Sequence, residues 1–86
     1  MKIEELKAKL KSHAPEGWSV LEGCFISMDT LATGGDHVSI SPNAPRTMKY
    51  LERKAKFLPT AEQLKAKLSG LGFNAKRDGT TVYIFP

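Results

Sequence analysis

The strongest constraint in this chain is a short helical motif that is written twice. Glu4-Glu5-Leu6-Lys7-Ala8-Lys9-Leu10 and Glu62-Gln63-Leu64-Lys65-Ala66-Lys67-Leu68 lie 58 positions apart, and six of the seven positions are identical. The residues after each copy also correspond. With three residues fewer between helix and hairpin in the second copy and one inserted in its hairpin, Gly17-Trp18 falls on Gly72-Phe73, and Glu22-Gly23 on Asp78-Gly79. A helix running into a β-hairpin is therefore expected at both ends, with units at 3–29 and 60–86 framing one domain over 1–86. Eighty-six residues suit a single small core.

Each unit has its own local logic. In the first, Ile3, Leu6, Leu10 and His13 recur at three- and four-residue steps and form one stripe of an amphipathic helix. Pro15 and Gly17 end it. Trp18 to Asp29 is rich in β-formers, with a turn or bulge expected at Glu22-Gly23 and a further strand through Cys24, Ile26 and Met28. Gly34-Gly35 marks a loop. His37 to Ser41 then alternates, with Val38 and Ile40 inward. In the second unit, Ala61, Leu64, Leu68 and Leu71 repeat the helical stripe. Gly70 and Gly72 stop that helix, and Asp78-Gly79 is a strong hairpin signal between Phe73-Ala75 and Val82-Ile84.

Between the units, Pro45 to about Lys56 reads as a helix, started by Asn43 as cap and a Pro near its first turn. Met48, Leu51, Ala55 and Leu58 make its apolar stripe. Arg46, Lys49, Arg53 and Lys56 fall at similar spacing on nearly the opposite face, flanked by Tyr50 and Phe57. One long strand over Met48–Leu58 is the alternative, and the two-stripe pattern favours the helix. Pro59 is expected to end it, with Thr60 and Gln63 boxing the start of the next.

The expected fold is α+β: a two-layer sandwich in the order α-β-β-β-α-α-β-β. A mostly antiparallel sheet of about five strands carries three helices on one face. The expected core is Leu6, Leu10, Trp18, Ile26, Val38, Ile40, Met48, Leu51, Leu64, Leu68, Phe73, Val82 and Ile84.

Chemistry is sparser. The chain has no phosphate loop, dinucleotide fingerprint, paired-Cys zinc signature or nucleophile elbow. Cys24 is the lone cysteine, which excludes an intramolecular disulfide and suits a reducing, cytoplasmic setting. His13 has no second ligand at metal spacing and reads as a cation near a helix C-terminus. The expectation is a protein that is not an enzyme and has no cofactor or metal. No apolar run reaches the roughly 18 residues that span a bilayer, so no membrane role is expected.

The helix-hairpin unit, with its Gly-aromatic entry and turn glycine, is similar to small HicA-type toxins, whose fold is like a double-stranded-RNA-binding domain. Those toxins carry a catalytic His just after the turn glycine. Here Cys24 and Thr80 stand at that place, so ribonuclease activity is not implied.

Charge is the remaining guide to function. The net charge of +4 is unevenly spread. From Ala14 to Pro45 the only charged side chains are Glu16, Glu22, Asp29 and Asp36. From Arg46 to Leu58 five cations face Glu52 alone. Such polarity speaks to partners rather than fold. The expectation is a small accessory or inhibitor protein docking on a protein with an acidic surface. Its binding residues would be Arg46, Lys49, Tyr50, Arg53 and Lys56. Free-standing chains of this size without catalytic residues resemble phage-type and mobile-element accessory proteins. The alternative is a nucleic-acid-binding domain in which the same cations meet phosphates and Tyr50 or Phe57 stacks on bases. A dipolar surface favours the protein partner, because only one pole suits phosphate.

Overall fold

The structure, a computed structural model, describes residues 2–24 and 35–86. Its elements run α1 (Ile3–Lys11), β1 (Trp18–Gly23), β2 (His37–Pro42), α2 (Tyr50–Gly70), β3 (Asn74–Asp78) and β4 (Thr81–Phe85). The described chain is a small α+β domain with four antiparallel strands and two helices, where five strands and three helices were expected. The sheet order is β1-β2-β4-β3. Each half contributes one α-β-β run, and β2 meets β4 at the centre, with Val38 opposite Ile84 and Ile40 opposite Val82.

Alternation in these strands puts one face of the sheet against the helices. Val38, Ile40, Ala75, Val82 and Ile84 join Leu6, Leu10, Ala61, Leu64 and Leu68 in one buried cluster. Both helices therefore cover the same face. Trp18 and Phe73, expected in the core, are partly buried and pack at its margin. Ala61, Ala75 and Phe85 are buried although they were not among the expected core positions. A Leu or Val in this cluster removes most of its surface from water, each worth about 1.5–3 kcal/mol in transfer free energy.

The ends of the elements reflect local chemistry. Helix α1 has Glu4 and Glu5 in its first turn and Lys9 and Lys11 in its last, as the helix dipole favours. Helix α2 closes in a Schellman motif: the Phe73 amide donates to the Leu68 carbonyl and the Gly72 amide to that of Ser69. Gly72 sits at φ 95°, a left-handed value that a side chain would strain. The last hairpin turns one residue later than the sequence suggested. Asp78 pairs with Thr81, so the loop is Gly79-Thr80. Gly79 has φ 60° and Thr80 has no positive φ, which is the signature of a type II′ turn.

Two expectations in the first half of the chain are corrected, and a third lies outside the described residues. Glu22-Gly23 is not a turn, because β1 runs through it and pairs residue for residue with β2 from Trp18–Pro42 to Gly23–His37. Gly23 is needed for another reason: a Cβ there would strike the His37 imidazole, 2.7 Å from Cε1. The strand expected through Ile26 and Met28, and Gly34 of the Gly34-Gly35 loop, lie outside the described residues. Asn43 does not cap a helix; its Oδ1 accepts a hydrogen bond from Ser19 Oγ, and its amide donates to the Gly17 carbonyl, closing the far end of the β1–β2 ladder.

The largest correction concerns the middle of the chain. Pro45–Lys56 and the helix expected from Thr60 are not separate. Arg46 and Thr47 form a turn, Lys49 is the residue before the helix, and α2 continues for 21 residues through Pro59. Thr60 and Gln63 are thus interior positions and box no terminus. One helix has one phase, and here the stripe of Ala61, Leu64 and Leu68 sets it. Ala55 lies nine residues before Leu64, about 180° round the helix, and so faces away from the sheet. Leu51 is likewise 76 % exposed, and Met48 is only partly buried outside the helix. Neither Met48 nor Leu51 belongs to the core.

Chemical denaturation of two sets of variants checks this packing. Leu68→Ala should lose roughly 2–5 kcal/mol, a large share of the stability of so small a domain, whereas Leu51→Ala should change it by no more than about 0.5 kcal/mol. Gly23→Ala should lose about 1–3 kcal/mol through displacement of the His37 ring, as expected for overpacking a tight contact. An unperturbed Gly23→Ala protein would contradict the packing of His37 over β1.

Candidate functional site

Helix α2 is longer than the sheet beneath it. Its 21 residues span about 31 Å, whereas the five residues of β3 or β4 span only about 17 Å. The buried residues of α2 all lie in its C-terminal half. The first half, 50–59, therefore projects past the sheet, and its side chains are exposed or half-buried throughout.

This projection carries the residues singled out in the sequence, though not as a single line across from a buried stripe. Arg46 is exposed in the turn ahead of the helix, and Lys49 is exposed at its first boundary. Tyr50, the first helical residue, is 70 % exposed. Lys56 is exposed, and its Nζ lies 5.3 Å from the Phe57 ring centre. Phe57 itself is no free stacking surface. It meets Trp18 edge-on at 6.1 Å and ties the projecting half to the start of β1. Arg53 is different again. It is half-buried, because it lies on the sheet-facing line of the helix that continues through Phe57 to Ala61, Leu64 and Leu68.

A cleft of about 260 Å³ opens beneath the projection. Tyr50, Arg53 and Lys54 form its upper wall, and Asp78, Gly79, Thr80 and Thr81 of the type II′ turn form the lower one. The Lys54 ammonium sits 5.7 Å from the Tyr50 ring centre, a cation–π arrangement that keeps the ring and the charge together. Arg77 braces the lower wall by donating from Nη1 to the Gly79 carbonyl at 2.8 Å. Sequence reasoning missed Lys54 and the turn. Lys54 lies off the expected basic line, and no local signal connects residues 50–54 with 78–81. The connection exists because α2 runs unbroken over β3 and β4.

The other polar residues gather less. Cys24 is exposed beyond β1, and His13 is half-buried with its ring edge-on to Phe73 at 6.3 Å. Among the described residues no three His, Cys, Asp or Glu side chains converge as a metal site. No helix there is long and apolar enough to cross a membrane. His37 stands on the sheet face away from the helices, yet it is only 5 % exposed. Its ring meets Tyr83 at 5.5 Å and Phe85 at 5.8 Å. Its Nδ1 lies 2.8 Å from the Gly35 carbonyl. A carbonyl only accepts, so Nδ1 carries the hydrogen. This cluster pins the Gly35–Asp36 approach to β2, and we read it as structural.

Tyr83 gives the cluster a measurable signature. Burial, and secondarily the Asp78 carboxylate, raise its phenol above the ordinary value near 10. The folded state thus holds the phenolic proton more tightly than the unfolded chain. That contribution is complete below about pH 10 and is lost as pH rises through the folded value. Denaturation midpoints should therefore fall with pH on the alkaline side, and Tyr83→Phe should flatten that decline. An unchanged alkaline limb in Tyr83→Phe would exclude this origin. No protein-family model, curated relative or solved structure matches the chain.

Proposed function

We propose that this chain is a small non-enzymatic binding protein, of accessory or inhibitor type, that docks on a protein partner through the projecting half of α2. The observation that carries this reading is the exposure of Leu51 and Tyr50, at 76 % and 70 %, among the cations Arg46, Lys49, Arg53, Lys54 and Lys56. Large apolar side chains left in water beside charges of mainly one sign, with Glu52 the one anion among them, suit a surface that is covered in a complex. Leu51 and Ala55 lie at helical spacing on the exposed side of α2, with the half-buried Leu58 at its margin. That pattern suits a groove or helix on another protein. The surrounding cations select an acidic surface and speed encounter with it.

A second reading has its own support. An exposed aromatic ring beside cations also suits a nucleic-acid strand, with Tyr50 stacking on a base. The exposed Leu51 favours the protein partner, since an aliphatic side chain offers nothing to phosphate.

The experiment compares the wild-type chain with Arg46→Ala/Lys49→Ala/Arg53→Ala/Lys56→Ala and with Arg53→Glu, each tagged, in capture and affinity measurements over a range of salt. Each single change should leave stability within about 0.5 kcal/mol. Partner affinity should fall at least about tenfold in the quadruple variant and further per site for Arg53→Glu, since reversal adds repulsion to lost attraction. A compensating reversal on the partner's acidic patch should restore part of the loss. A folded quadruple variant with native affinity removes the docking role. Tight binding to a single-stranded oligonucleotide, with a steep log–log salt slope, would favour the second reading instead.

A further inference from the structure

Arg53 continues the sheet-facing line of Ala61, Leu64 and Leu68, which leaves it half-buried at the cleft below the helix. A guanidinium held at such a place pairs with an anion at a smaller desolvation cost than one buried outright. Among the described residues, the side-chain hydrogen bonds are made by Ser12, Ser19, His37 and Arg77, and none involves Arg53. The cleft around it holds two further donors, the hydroxyls of Thr80 and Thr81, with Lys54 beside them and the Tyr50 ring as a wall.

The cleft is positively charged: Arg53 and Lys54 line it, and Arg77 reaches its lower wall at the Gly79 carbonyl, while the Asp78 carboxylate acts on Tyr83 on the opposite sheet face. Such a cleft takes an anion, and on the docking reading that anion is a carboxylate of the protein partner. We infer that this cleft is the anchoring subsite of the docking face and takes one Asp or Glu side chain of the partner. Arg53 holds that carboxylate in a forked pair, with Lys54 as a second cation and Thr80 and Thr81 donating from the turn. The Arg77 bond to Gly79 keeps the turn in place to do so. The inference rests on the docking reading above and adds the group that is recognised.

The test uses the full chain and a defined probe: an acetylated, amidated decapeptide alternating Glu and Ala, with its Gln counterpart as control. The Glu peptide should shift the amide resonances of Arg53, Lys54, Gly79, Thr80 and Thr81, and the Gln peptide should not. Arg53→Gln should weaken binding roughly tenfold or more, the usual scale for a charge-assisted pair. Lys54→Gln and Thr80→Val should weaken it less, and both keep the subsite testable should Arg53→Gln disturb the fold. Arg53→Lys, which keeps the charge and loses the fork, should fall between wild type and Arg53→Gln. If Arg46→Gln/Lys49→Gln/Lys56→Gln abolishes binding while Arg53→Gln and Thr80→Val do not, the docking face stands and the subsite is wrong. If the Glu peptide does not bind, or if every variant binds it equally, both fail. Stronger binding of a thymidine decanucleotide through the same residues would also overturn the inference.

Discussion

The antiparallel pair of β2 and β4 is the contact on which everything else rests. Neither half of the chain can bury its apolar surface alone: α1 with β1–β2 and α2 with β3–β4 each present half of a hydrophobic layer. Joining Val38 and Ile40 to Val82 and Ile84 makes one sheet with one continuous inner face. Both helices then have somewhere to lay their leucines. The outer strands are held by local devices, a residue-by-residue ladder for β1 and a two-residue turn for β3. The central pair has no such local help, because its partners lie far apart in the chain. Its stability comes from burial, and these four fully buried side chains are all β-branched, the type that packs best on a pleated surface.

That layer also decides where the candidate site lies. The core fixes the phase of α2 through Ala61, Leu64 and Leu68, and helical geometry carries the phase backward past Pro59. Pro59 costs the helix a hydrogen bond to the Ala55 carbonyl, and a proline inside a helix is destabilising by about 3 kcal/mol. The helix nevertheless continues, and its continuation is what lifts Tyr50, Arg53 and Lys54 over the hairpin turn. An arginine on the inward line and a leucine on the outward line would be errors in a helix that ended on its sheet. They are intelligible in one that reaches past it.

Much of the framework was legible because it is local. The Leu6/Leu10 and Leu64/Leu68 stripes, the alternation of Val38-Ile40 and Val82-Ile84, and the glycine stop at Gly72 each depend on a few adjacent residues, and each stands in the structure. The misreadings are equally specific. Glu22-Gly23 looked like a turn because glycine commonly marks one; here it yields space to a histidine from the neighbouring strand. Pro59 looked like a helix end because proline usually is one, and splitting the helix there let its first half be phased on its own apolar residues. That error put Leu51 inside and Arg53 outside. The cleft was illegible for a different reason: its two walls meet only through tertiary packing, and no spacing rule links Arg53 with Thr80.

The central position of β4 has a consequence for how this molecule comes together. Until residues 81–85 are in place, β2 exposes an unpaired strand edge and an uncovered apolar face, although β1 and α1 precede it in the chain. Pairing Val38 with Ile84 closes a loop of about half the molecule, which makes the folding nucleus non-local and slows its formation relative to a helical bundle of equal length. In that interval the open β2 edge is the segment most able to pair with another chain. Each half thus acts as the shield of the other, and assembly is an all-or-none event rather than the docking of two preformed pieces.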